Sequence, residues 1–221
     1  MHSYREMCGA LVRAAIFDLY GTLVDWRTSI GSLIKYIVGP KYIDEFFQCD
    51  LESVKSLTSY KPYTEILVGC LRKVCESASK PWRDHYAEAI RLSFAKSPPF
   101  PDTILGLKTL KSLGISTAVI SNTEKSLVRI TLAGIEHLID RVITAEDIGI
   151  YKPSREAFIR AYRLMNLEFN DAIHVSSYPQ YDLEPARSLG IRAIHLNRYG
   201  YIWEPSIESL EELITLLNPP P

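Results

Sequence analysis

"AAIFDLYGTLVDW", residues 14–26, starts as an apolar run and ends as a turn, with one carboxylate, Asp18, at the join. Gly21 closes the run, so residues 13–20 read as a buried strand that delivers an acid to its own end. The residue two places on is Tyr20. A phenol holds its proton to a pH of about 10, so Tyr20 is a poor proton donor at neutral pH.

Outward from this strand the pattern changes. Ile30, Leu33, Ile34 and Ile37, then Ile66, Leu67, Cys70, Leu71 and Val74, recur at helical spacing. Pro62 and Pro81 fall near expected helix starts, where proline is tolerated. "KSPPFPD", residues 96–102, breaks the pattern. Beyond it helices are expected at 103–113, 124–133, 154–165, 181–189 and 206–217. Strands are expected at 115–121, 141–144, 172–177 and 191–196. Alternation of this kind predicts an α/β fold, a Rossmann-like parallel sheet with helices on both faces, plus an inserted α-helical cap. The expected division is a core of residues 1–25 and 98–221 and a cap of 26–97. Ligands of such sheets bind beyond the carboxyl ends of the strands.

Composition narrows the partners. The 221 residues carry a formal charge of −1, which gives no attraction for nucleic acid or an anionic membrane. No apolar run is long enough to span a bilayer, and the first residues lack a signal-peptide pattern. Cys8, Cys49, Cys70 and Cys75 show neither metal-ligand nor CxxC spacing, so they are expected as reduced thiols in a cytoplasmic protein.

Parallel order brings groups that are distant in sequence to one edge. The strand ends offer Asp18 with Thr22, then Ser121 and Asn122, then Lys152 in "YKPS", then Ser176, Ser177 and Tyr178 ahead of Asp182. Each alone has an ordinary explanation in turn or cap chemistry. Together they assemble an ionised carboxylate beside an ammonium, able to attack carbon or phosphorus, and a second carboxylate able to activate water. His174 and His195 lie in apolar strands and read as core residues; His85 belongs to a cap helix. Trp26, Tyr36, Tyr42, Phe46 and Phe47 read either as a pocket wall or as cap packing. Arg198 and Tyr199 read as exposed loop.

In this order "FDLYGTLVD", "VISNT", "YKPS" and "HVSSYPQYD" resemble the haloacid dehalogenase superfamily over nearly the whole chain. The resemblance makes Asp18 the nucleophile, Ser121 the next strand's hydroxyl and Lys152 the charge-balancing lysine. Most of that superfamily are magnesium-dependent phosphatases. They carry a second aspartate where Tyr20 stands and a Gly-Asp pair where Ser176 and Ser177 stand. Serine replaces carboxylate poorly around a hard divalent cation. Both changes resemble the metal-independent 2-haloacid dehalogenase branch, in which Asp182 matches the carboxylate that assists ester hydrolysis. The resemblance therefore implies a hydrolase with an aspartate nucleophile and a possible homodimer, acting without cofactor or metal on a short organic acid, or with magnesium on a phosphate ester if it is a phosphatase, with Tyr20, Thr22, Ser121, Asn122, Ser176, Ser177 and Tyr178 as expected substrate contacts.

The chain also departs from that branch. The halide-receiving arginine of the early cap aligns near Gln48, and Arg27 stands too close to Asp18 in sequence to be its obvious replacement. Tyr178 occupies the place of an asparagine, the loop to Asp182 is one residue longer, and Phe158 takes the place of a common tyrosine. Two other readings stay open. One is a phosphatase with a degraded magnesium site; the other is a weakly catalytic homologue that binds a small anion or a protein partner.

Overall fold

The computed structural model describes residues 12–217. Six strands form one parallel sheet in the order β3-β2-β1-β4-β5-β6. They are β1 (Ala14–Phe17), β2 (Ser116–Ser121), β3 (Arg141–Thr144), β4 (Ala172–Ser176), β5 (Arg192–Leu196) and β6 (Ser206–Ile207). The alternation of side chains along β1 builds two cores. Ala15 and Phe17 face α5 (Thr103–Ser112), α6 (Lys125–Thr131) and α10 (Leu210–Leu217) through Leu107, Leu127 and Leu213. Ala14 and Ile16 face α7 (Ala145–Ile148), α8 (Arg155–Met165) and α9 (Glu184–Ser188) through Ile148, Phe158 and Ala186. With both faces covered, every residue of β1 is buried.

The chain leaves β1 for β2 on one side and returns to β4 on the other. β1 is therefore the strand at which the winding reverses, the place where such sheets bind ligands. Asp18 follows it directly, and its amide donates to the Val175 carbonyl of β4 at 3.0 Å.

Between β1 and α5 stand four helices: α1 (Trp26–Ile37), α2 (Ile43–Ser56), α3 (Tyr63–Ser77) and α4 (His85–Ala95). Asp25 caps α1, its side chain accepting from the Thr28 amide at 3.1 Å, and Ile30, Ile34 and Ile37 form the buried stripe. This layer is tied to the sheet by named contacts. Tyr20 stacks on Phe94 with centroids 3.9 Å apart; Thr64 Oγ1 donates to Glu124 at 2.7 Å; Tyr181 Oη donates to the Leu51 carbonyl at 3.2 Å. None of the described helices is long and apolar enough to cross a membrane.

Three expectations need correction. Residues 206–217 are not one helix: Ser206–Ile207 adds a sixth strand beside β5, too short for periodicity to reveal. Residues 181–189 do not form a single α-helix. Pro179–Leu183 make a π turn before α9, the local form an extra residue takes inside a helix. Cys49 and Cys70 are not both reduced thiols but are joined in a disulfide between α2 and α3. Packing of the two helices brings their Cα atoms to 5.6 Å, although 21 residues separate them in sequence. Cys75 is free and buried; Cys8 lies outside the described residues.

Candidate active site

Lys152 sits at the centre of the site. Its side chain is 1% exposed, and its three N–H donors all find acceptors: Asp18 Oδ1 at 2.9 Å, Asp182 Oδ1 at 2.7 Å and the Ile120 carbonyl at 2.9 Å. The loop is held from outside by Asn122. Asn122 Nδ2 donates to the Lys152 carbonyl and Asn122 Oδ1 accepts from the Lys152 amide, each at 2.8 Å.

Asp18 receives a second bond on Oδ2 from Thr22 Oγ1 at 2.9 Å, and Thr22 Oγ1 accepts from the Ser177 amide at 3.0 Å. Both oxygens are thus oriented while the carboxylate still faces a cavity. Burial raises the pKa of Asp18 above the ordinary carboxylate value, against Lys152, which lowers it; the charge of Asp182 adds to the rise. Burial pushes Asp182 upward too, but there Lys152 and His174 win and hold it low. Lys152 itself is raised: burial lowers it, and the two carboxylates more than reverse this.

The cavity measures about 310 Å³. The sheet side supplies Asp18, Ser121, Asn122, Lys152 and Asp182; the helical layer supplies Trp26, Arg27, Phe47, Gln48, Asp50 and Tyr63. Ser121 Oγ and Asp182 Oδ2 are buried without hydrogen-bond partners among the described residues, so each has capacity left for a ligand or a water. Of the aromatic residues singled out in the sequence, Trp26 and Phe47 wall the cavity, Phe46 is core and Tyr36 is 90% exposed.

Several expected substrate contacts are turned elsewhere. The Tyr20 ring lines the cavity, but its hydroxyl pairs with Thr131 Oγ1 at 2.5 Å. Ser176 Oγ accepts from the Tyr178 amide at 3.1 Å, and Ser177 Oγ donates to the Leu196 carbonyl at 2.5 Å. Both serines are spent on backbone, as is usual for a buried hydroxyl. Thr22 positions Asp18 and does not line the cavity. Tyr178 does line it, its hydroxyl accepting from Trp26 Nε1 at 3.0 Å. That hydroxyl sits where a Gly21 side chain would project: a Cβ there would meet it at 2.1 Å, on a backbone of φ +92°.

Arg27 lines the cavity despite its nearness to Asp18 in sequence. The first turn of α1 folds its guanidinium into the cavity wall, 4.7 Å from the Phe47 centroid and 4.9 Å from that of Tyr199. It makes no ion pair among the described residues. Arg198 and Tyr199 are half-buried, not exposed loop. Arg198 donates to Asp102 at 2.7 Å and to the Thr22 carbonyl at 3.2 Å.

His174 was legible as a core residue but not as a neighbour of the site. Its Nε2 lies 2.7 Å from Asp182 Oδ1 and, facing an ionised acceptor, carries the hydrogen. Phe158 packs edge-on against its ring at 5.2 Å. The available signal was a polar residue on the inner face of a buried strand, which requires a partner.

The donor set does not suit a divalent cation. The oxygens of Asp18 and one oxygen of Asp182 are committed to Lys152, Thr22 and His174, and the ammonium occupies the space between the two carboxylates. Among the described residues no three His, Cys, Asp or Glu side chains cluster as metal ligands.

A parallel sheet whose reversing strand ends in an oriented aspartate, with a lysine and a second aspartate beside it, is an arrangement able to support attack by a carboxylate. Residues 12–190 match the haloacid dehalogenase-like hydrolase family, and the chain belongs to it. The (S)-2-haloacid dehalogenase 2 of Pseudomonas sp. strain CBS-3 is 26% identical, over 94% of this chain and 96% of its own. A glyceraldehyde 3-phosphate phosphatase of Methanocaldococcus jannaschii is 30% identical over 54% of this chain and 57% of its own. A solved dehalogenase structure with an intermediate complex has a TM-score of 0.85, at 24% identity, over 94% of this chain and 97% of that one.

Proposed function

We propose that the chain is a metal-independent hydrolase that displaces halide from C2 of a short 2-halo acid through an ester on Asp18. One observation carries the reading over its phosphatase alternative. The position that would hold a leaving-group acid is Tyr20, whose hydroxyl is bound to Thr131 and pushed above its ordinary pKa by burial. A phosphate ester's alkoxide needs that proton, whereas a halide leaves without one.

In the proposed sequence an Asp18 oxygen attacks C2, the carbon–halogen bond breaks, and halide departs toward Arg27, with Ser121 and Asn122 lining the same cavity. Water then attacks the ester carbonyl. Asp182 takes one of its protons on the unpartnered Oδ2 and returns it to the oxygen on C2, releasing the 2-hydroxy acid; the water's other proton, left on Asp18, is lost to solvent and the carboxylate is restored. The helices of residues 26–97 act as a cap that keeps bulk water from the attacking carboxylate.

The test is a screen for halide and phosphate release with and without magnesium. We expect halide release from 2-chloropropionate at the same rate in magnesium and in a chelator. Phosphate release that requires magnesium would replace this reading with the phosphatase one, and neither release would leave the binding homologue.

Attack also requires Asp18 ionised. Because burial raises its pKa, kcat/KM is expected to fall on acidification at a pH above the ordinary aspartate value of 3.8. An acid limb at or below that value would contradict the assignment.

A further inference from the structure

The proposed reaction leaves one buried carboxyl of the cavity without a task. Asp50, on α2, is 8% exposed and lines the cavity opposite the sheet. Its one hydrogen bond among the described residues is accepted by Oδ1 from Tyr63 Oη at 2.8 Å. The lining around it, Leu51, Val54, Tyr63 and Tyr181, brings no cation. Of the cavity's two cations, Lys152 is bound to Asp18, Asp182 and Ile120, and Arg27 lies between the Phe47 and Tyr199 rings with no ion pair to Asp50.

Burying such a charge costs stability, and the Tyr63 hydroxyl does not require it, since an uncharged asparagine would accept that bond equally well. Burial pushes the pKa of Asp50 up to about 7, although the Tyr63 donor pulls the other way. An acid kept at that cost in the wall of the cavity is accounted for by a ligand that supplies it with a further donor.

We propose that Asp50 reads a hydrogen-bond donor, a hydroxyl or a protonated amine, at the end of the substrate remote from the reacting carbon. The preferred substrate is then a functionalised 2-halo acid, turned over in preference to a simple alkyl one; this rests on the reading of the site given above. A three-carbon halo acid displaces on the order of 100 Å³, a little over three waters of about 30 Å³ each. The cavity of about 310 Å³ therefore has room for a tail that runs from Asp18 toward α2. An alkyl tail would strip water from Asp50 and leave its oxygen unpaired, the strongest form of discrimination a pocket can make.

Calorimetric titration with unhalogenated acids tests this without turnover. The probes are 4-aminobutanoate, 4-hydroxybutanoate and pentanoate, added to the full chain at pH 8. We expect the two donor-bearing acids to bind at least about tenfold more tightly than pentanoate. Asp50→Leu should erase or reverse that preference. Asp50→Asn keeps an acceptor for Tyr63 and for a hydroxyl; it guards against a folding defect and should lose the amine preference alone. Pentanoate binding as tightly as the others, a preference that survives Asp50→Leu, or no binding of any probe would overturn the proposal. Halide release from the 2-chloro forms of the same acids separates the two readings. A binding preference without halide release would sink the reaction and leave the role of Asp50; halide release without preference would do the reverse.

Discussion

Asp18→Asn is expected to lower halide release by at least about a thousandfold and to leave the fold intact. The amide keeps the size of the carboxyl; its one oxygen can still accept from Lys152, and its NH2 can donate to Thr22 Oγ1, so residue 18 stays tethered at the end of β1. It is, however, a poor nucleophile, and the ester cannot form. The label distinguishes this from a base role. In a single turnover in heavy-oxygen water, with enzyme in excess, attack by Asp18 puts a light oxygen into the product and a heavy one into the peptide containing Asp18. Direct attack by activated water puts heavy oxygen into the first product, and that result would remove Asp18 from the role of nucleophile. Asp182→Asn should behave differently. The ester forms but its hydrolysis slows, because Oδ2 no longer takes the proton of water, and the adduct accumulates to a mass detectable on the intact chain.

Lys152→Met should lose activity and destabilise the protein by about 3–5 kcal/mol, the cost of removing one partner from a buried ion cluster. The methionine fills much of the same space, so the loss is chiefly electrostatic. Asp18 and Asp182 would then face each other with neither bulk water nor an ammonium. The pH dependence carries the sign. In the native protein the depressed pKa of Asp182 is a stabilising term, present above its unfolded value and lost as pH falls through its folded value. Without Lys152 both carboxylates are raised, so their burial becomes a penalty at neutral pH that shrinks as acid protonates them. The deficit of Lys152→Met relative to the native chain, measured by urea unfolding, should therefore narrow on acidification. Adding Asp182→Asn should recover part of it. A deficit below about 1 kcal/mol at neutral pH would place Lys152 among ordinary surface pairs and remove it from the centre of the site.

The alternation of the first five strands with helices, and the delivery of Asp18, Ser121, Lys152 and Asp182 to one sheet edge, were written in the sequence. Hydrophobic period and glycine stops are local properties, and parallel winding places every strand's carboxyl end on the same side. Direction and partnership were not local. Tyr20 reads as an odd residue at an acid's position, but only its contact with Thr131, 111 residues away, shows that the hydroxyl leaves the cavity. Ser176 and Ser177 read as site residues and are consumed by backbone atoms of their own layer. Arg27 stands nine positions from Asp18, a separation that says nothing about which way the first turn of α1 carries a guanidinium. His174 on β4 and Asp182 in the π turn beyond it stand eight residues apart, and only the folded chain sets their side chains face to face. Cys49 with Cys70, and Asp50 with Tyr63, meet only through the packing of α2 on α3. Periodicity records how strongly a residue avoids water; which groups then face one another depends on the crossing of whole elements, and no single stretch of chain contains that information.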